Sequence, residues 1–178
     1  MPEQIDMNDW ERRSARAWAE IDSYDARGEA GAADFRTRIG ELAGELPPGS
    51  PVAAFERASA WDSTGHSDKA VPLYQQALAS GLAGMRRRRA VIQLASSLRN
   101  TGRAAEAVEL LTAESQNHDP DAAVLADALS AFLALCLADA GREREAVSVA
   151  LLALAQHLPR YQRSLANYAR LLAEPGPA

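Results

Sequence analysis

The residues of this chain with the chemistry for catalysis are few: three histidines, one cysteine and one lysine. His66 follows Gly65, with Asp62 and Asp68 beside it. A histidine–carboxylate pair of this kind could move protons. The same grouping at a helix start also serves as a cap and surface charge pair, which is how we read it. His118 stands in a loop beside Asp119, and His157 ends a helix, where positive charge suits the helix dipole. Cys136 sits in the apolar run AFLALCLA and reads as a small core residue. As the one cysteine it has no partner for an intramolecular disulfide. Lys69 is the single candidate for Schiff-base chemistry. The histidines and the cysteine are scattered, and no nucleophile elbow, phosphate loop or metal motif appears. The expectation is a protein that is not an enzyme and holds no metal or cofactor.

The other chemically pointed feature is Arg86–Arg89. Successive helical residues point 100° apart, so only Arg86 and Arg89 of this tract share a face. No aromatics alternate with it for base stacking. The chain is acidic, with net charge -5 and a pI near 5.2, and residues 1–46 hold 11 of its acids against 6 bases. Nucleic acid is therefore not the expected partner. The tract reads as a solvated helix start paired with acids. Arginine there opposes the helix dipole, which leaves a binding role open for Arg89.

The elements that must carry these residues are helical. Of 178 residues, 47% are hydrophobic and 24% charged, as in an ordinary folded domain. Valine, isoleucine and threonine total only 15, while alanine, leucine, arginine and glutamate dominate. Eighteen of the 19 basic residues are arginine. The opening MPEQIDMNDWERR lacks the pattern of a secretory signal, and the longest apolar run, near Ala131–Ala138, is shorter than the roughly 20 residues of a bilayer span. A cytoplasmic protein without membrane contact is expected.

A repeat organises the helices. Gly28, Gly65, Gly102 and Gly141 are spaced by 37, 37 and 39 residues, and each is followed five residues later by alanine: Ala33, Ala70, Ala107 and Ala146. Glycine ends one helix at little conformational cost, and alanine one turn into the next lets two helices approach closely. The chain breaks again at Pro47-Pro48-Gly49, Gly81–Gly84, Asp119-Pro120 and Leu158-Pro159. Each unit is thus a hairpin of an A and a B helix. A helices are expected near 9–26, 51–63, 85–99 and 121–139, and B helices near 31–45, 67–80, 103–116 and 142–157. A further helix over 160–173 would cap the stack, leaving 174–178 as a frayed tail. Pro72 lies near the start of the second B helix and predicts a slightly irregular first turn. The expectation is one all-α domain over 1–173, an α-solenoid of four hairpins (9–46, 51–81, 85–118, 121–158) and a C-terminal capping helix.

The stretch Gly65-x4-Ala70-x3-Tyr74-x2-Ala77-Leu78 resembles the second half of a tetratricopeptide repeat. Gly102, Ala107 and Leu111 match in the third unit, where Glu114 departs from the pattern; Gly141, Ala146 and Ala153 match in the fourth. The first unit offers Gly28 and Ala33 only. The phrases RASAWDSTGHSDKAVPLYQQAL, GLAGMRRRRAVIQLASSLRNTG and AEAVELL resemble the bacterial group 5 tetratricopeptide proteins. The resemblance implies a module that binds other proteins, with no defined partner to carry over.

In such a fold the A helices line the concave face. At 100° per residue, Val91, Leu94, Ala95 and Leu98 form a buried stripe, and Arg89, Ile92, Ser96, Arg99 and Asn100 form the facing one. The repeat carries the second stripe to Val52, Phe55, Ser59, Asp62 and Ser63, to Ala15, Trp18, Asp22, Asp25 and Ala26, and to Ala128, Ala131, Leu135, Ala138 and Asp139. Phe55, Ser59, Asp62, Arg89, Ser96, Arg99 and Asn100 are the expected contacts for a protein or peptide partner. The competing reading is that Trp18 and Phe55 pack between units and the charges pair internally. Some tetratricopeptide proteins clamp a C-terminal carboxylate with lysine, asparagine and arginine. The matching slots here hold Trp18 and Asp22, Phe55 and Ser59, Ile92 and Ser96, and Ala131 and Leu135, so no clamp is present. The expected function is a peptide-binding scaffold or adaptor. A homo-oligomeric (for example dimeric) structural module or a peptide-sensing regulator are the alternatives.

Overall fold

The computed structural model describes residues 5–174, and among these the secondary structure is entirely helical. By their contacts the residues fall into two compact units, Met1–Arg86 and Arg87–Ala178.

The first unit holds α1 (Met7–Ala19), α2 (Ile21–Asp25), α3 (Gly28–Glu45), α4 (Pro51–Ser63) and α5 (Ser67–Ala79), and the start of α6 (Gly84–Asn100). Asp6 caps α1, its carboxylate accepting from the Asn8 and Asp9 amides. The buried residues Trp10, Ser14 and Ala17 recur at helical spacing and face α3. Trp10 Nε1 donates to the Leu42 carbonyl at 2.8 Å, so the indole is buried with its one donor satisfied. Arg13 joins the same two helices with paired bonds of 2.7 and 2.6 Å to Glu45. Phe35, Ile39 and Leu42 form a core with Ala17 and Ala60, and Trp18, Ile21 and Tyr24 cover it.

The expected first A helix is interrupted at Glu20. Its amide bonds back only three residues, to the Ala17 carbonyl, and the Ser23 hydroxyl takes the Glu20 carbonyl at 2.7 Å. The first repeat departs in a second way. Ala33 is exposed, and the close approach falls at Gly31, where an added Cβ would strike the Tyr24 carbonyl oxygen.

The second hairpin follows its expectation. Ser50 caps α4 with Pro51 at the first turn, and Gly65 takes the left-handed φ of +82° between α4 and α5. Ala70, Tyr74 and Ala77 turn inward from α5. Pro72 is exposed, and α5 runs unbroken from Ser67 to Ala79, without an irregular first turn.

The second unit holds the rest of α6, α7 (Ala104–Ser115), a 3-10 helix over Pro120–Leu125, α8 (Ala126–Asp139), α9 (Glu143–Ala155) and α10 (Gln162–Ala173). α7 packs on α8, α8 on α9 and α9 on α10. Gly102 and Gly141 again take left-handed turns, and Ala107 and Ala146 are buried behind them. The expected helix 121–139 opens as a 3-10 helix because Pro120 starts it and the Asp119 carboxylate accepts from the Asp121 amide at 3.0 Å. That turn lengthens the apolar segment. Pro120–Asp139 is 20 residues long and holds an 18-residue window of mean hydropathy 1.8, enough by length and composition to cross a membrane, where the sequence reading counted only the shorter run.

Candidate functional site

The structure places the expected contact residues in two different settings. On α4, Phe55 and Ser59 are fully buried, and their stripe faces α5. The Phe55 ring lies 6.3 Å from that of Tyr74, and the Tyr74 hydroxyl stands 3.4 Å from Ser59 Oγ and 3.3 Å from Asp62 Oδ2. The repeat's aromatic is buried with a polar tip, and this stripe supplies its partners. Phe55 and Ser59 are thus core residues that no partner can touch without opening the hairpin. Asp62 is half-buried beside them.

On α6 the two stripes separate at every position but Ile92. Val91, Leu94, Ala95 and Leu98 are buried, while Arg89 and Asn100 are exposed and Ser96 and Arg99 half-buried. Ile92, on the outward stripe, is buried. Arg99 Nε lies 2.6 Å from Asp139 Oδ2, tying α6 to α8. Along α8, Ala131, Leu135 and Ala138 are exposed and Ala128 half-buried, an apolar strip on which Leu135 keeps 45% of its surface.

The arginine tract is largely structural. Arg86 makes bonds of 2.9 and 2.6 Å to Glu11, whose carboxylate raises its pKa, and lies 3.6 Å from Glu56. Arg88 is buried, donating to Glu114 at 3.0 Å and to the Asn117 carbonyl at 2.7 Å. Arg87 reaches the same Glu114 at 3.2 Å. Trp18 belongs to the core as well: its Nε1 donates to Glu56 at 2.7 Å, and its ring packs edge-on against Phe35 at 5.0 Å.

The candidates for catalysis are dispersed. His66 Nε2 stands 3.8 Å from Glu29, with the Trp61 ring edge-on at 5.2 Å. His157 pairs with Asp127 at 2.9 Å, and His118 is exposed in its loop. Cys136 is buried, which pushes its thiol pKa up and keeps it protonated. Among the described residues, no group of three histidines, cysteines or carboxylates could hold a metal.

Sequence reasoning missed a hollow of about 360 Å³ between α3 and α4, walled by Arg36, Arg57 and Trp61. The Arg36 guanidinium stacks 4.7 Å from the Trp61 ring centre and bonds Glu29 at 2.6 Å. A signal was available: Gly40 and Gly44 late inside the expected helix 31–45.

Helical hairpins closed by a left-handed glycine and an inward alanine, repeated along the chain, define an all-α repeat protein of the solenoid class. The family model described as tetratricopeptide repeat, group 5, matches residues 51–172, from α4 into α10. The chain belongs to that family, whose repeats serve in protein–protein interaction. No curated protein and no solved structure matches the chain.

Proposed function

We propose that the protein is a non-enzymatic adaptor that holds a protein or peptide partner on the outward faces of α6 and α8. Arg89, Ser96, Arg99 and Asn100 supply the polar contacts, and Ala131, Leu135 and Ala138 the apolar ones. The carrying observation is the state of the second unit's most apolar segment. Only 22% of the apolar window in Pro120–Asp139 is buried, although α8 packs on both α7 and α9. Contiguous apolar surface beside charged groups is the mark of an interaction site. Because α8 is seated within a helical unit, a protein partner suits it better than a bilayer. The test is capture from a lysate of the native host with wild type, Leu135→Asp and Arg99→Ala as baits. A band kept by wild type and lost from both variants supports the reading; equal retention by all three overturns it.

A second reading has its own observation. Among the described residues, seven of the nine exposed large hydrophobic side chains fall between Val124 and Leu171, including Leu154, Tyr161 and Tyr168. This surface would suit self-association. Sedimentation velocity over a concentration series would show a dimer that Tyr168→Ser with Leu171→Asp returns to monomer.

A further inference from the structure

The first unit carries a furrow that neither the repeat nor the α6–α8 surface accounts for. Its floor is the face of α3 bearing Ala33, Thr37, Gly40 and Gly44, and Arg36, Arg57 and Trp61 wall it from α3 and α4. Arg57 also lines a second hollow of about 240 Å³ at Gly44, so both hollows open beside the same guanidinium along α3. From Ala33 to Gly44 the helix rises about 16 Å, the reach of about five extended residues.

Charge and shape both point to an occupant. Arg57 forms no ion pair among the described residues, and no acid lines the hollow. Glu29, the acid beside it, is already bonded to Arg36 Nη2. Arg36 Nη1 is shielded from solvent and lacks a hydrogen-bond partner among the described residues. Donors therefore outnumber acceptors. The glycines give independent support. A Cβ at Gly40 would meet nothing within 4 Å, and one at Gly44 only the Arg57 guanidinium, at 4.0 Å. Both are helical, without the positive φ of Gly28 or Gly65. Glycine weakens a helix relative to alanine, and nothing in the folded chain requires it at these two positions. Their use is room for a backbone from outside the chain.

We propose that the α3–α4 furrow binds an extended acidic peptide segment of a protein partner. The segment's carboxylates meet Arg36 and Arg57, and its backbone lies against Gly40 and Gly44. Arg57 and Trp61 project from the side of α4 opposite Phe55 and Ser59, and the furrow lies wholly in the first unit. The proposal is therefore independent of the α6–α8 reading.

The test uses the full chain with 15N-labelled tryptophan, the Trp61 indole signal being assigned by Trp61→Phe. The probe is a capped hexaglutamate peptide, with capped hexaglutamine as its neutral counterpart. Hexaglutamate is expected to move the Trp61 signal saturably, and hexaglutamine is not. Arg57→Gln and Gly40→Leu should each weaken hexaglutamate binding at least about tenfold. Arg160→Gln, in the second unit, should leave it unchanged. Because Arg57 is exposed, Arg57→Gln tests the charge claim even if Gly40→Leu misfolds. No Trp61 response up to about 1 mM peptide would overturn the proposal. So would equal binding of the two peptides, loss in Arg160→Gln matching that in Arg57→Gln, or inorganic phosphate alone producing the full response.

Discussion

Arg99 on α6 and Asp139 on α8 meet at 2.6 Å, each partly open to solvent, an ion pair between the two helices proposed to receive a partner. A partly exposed pair contributes modestly, roughly 0.2–1 kcal/mol. Arg99→Ala and Asp139→Asn should each lower stability within that range, and a double-mutant cycle in urea should give a coupling no larger. The partner assay should separate the two: Arg99→Ala removes a partner contact, whereas Asp139→Asn removes only the tether. Equal losses of capture would mean that Arg99 acts through α8 rather than on the partner.

Arg88 and Glu114 form the opposite case. They are only 5% and 3% exposed, and the Asn117 carbonyl completes the guanidinium's bonds. Removing Glu114 leaves the buried Arg88 charge uncompensated, at a cost of about 3–5 kcal/mol, whereas Arg88→Met leaves Glu114 with Arg87 at 3.2 Å. Glu114→Leu should therefore shift the urea midpoint far more than Arg12→Met, whose pair with Asp9 is exposed. The Arg88→Met/Glu114→Leu double variant should lose less than the sum of its singles. A Glu114→Leu midpoint close to wild type would show that water reaches Arg88.

These arginines show what the sequence could and could not reveal. The hairpins were readable because left-handed turns favour glycine and tight helix contacts favour alanine, and both leave fixed spacings. The identity of the outward stripe was not readable on α4. An A helix is flanked by neighbours on more than one side, so a 100° stripe can be polar and still be core. Ser59 and Asp62 are there for the Tyr74 hydroxyl, a partner fifteen and twelve residues away. Arg86 and Arg88 looked alike in sequence, yet their roles depend on Glu11 and Glu114, which only the fold brings near. The apolar strip of α8 follows from carrying the outward stripe along the repeat to Ala131, Leu135 and Ala138, which are exposed.

Acid should loosen the first unit through Glu45 and Glu29. The Arg13 guanidinium lowers the Glu45 pKa, and Arg36 lowers that of Glu29, each from an ordinary value near 4.5. A carboxylate depressed in the folded state contributes stability above its unfolded-state pKa. That contribution is lost as pH falls through the folded value. Wild-type Tm should therefore be flat with respect to these groups above about pH 5 and fall below it. Glu45→Gln should start lower and fall less steeply. A Glu45→Gln profile parallel to wild type through the acid range would remove the Arg13–Glu45 pair from the account.

Two glycines of α3 should respond to alanine with opposite signs. At Gly31 an added Cβ would strike the Tyr24 carbonyl oxygen and crowd Arg27, so the α2–α3 turn must shift. Overpacking against backbone costs about 1–3 kcal/mol, offsetting any helix gain. At Gly40 the methyl meets open space, and the helical backbone already suits alanine. Gly40→Ala should therefore raise stability by about 0.5–1 kcal/mol, the usual helix preference of alanine over glycine. Chemical denaturation of the two variants beside wild type measures both signs at once. If Gly40→Ala is instead destabilising, the furrow floor closes on itself in solution, and Arg57 or Trp61 rests where the methyl would go.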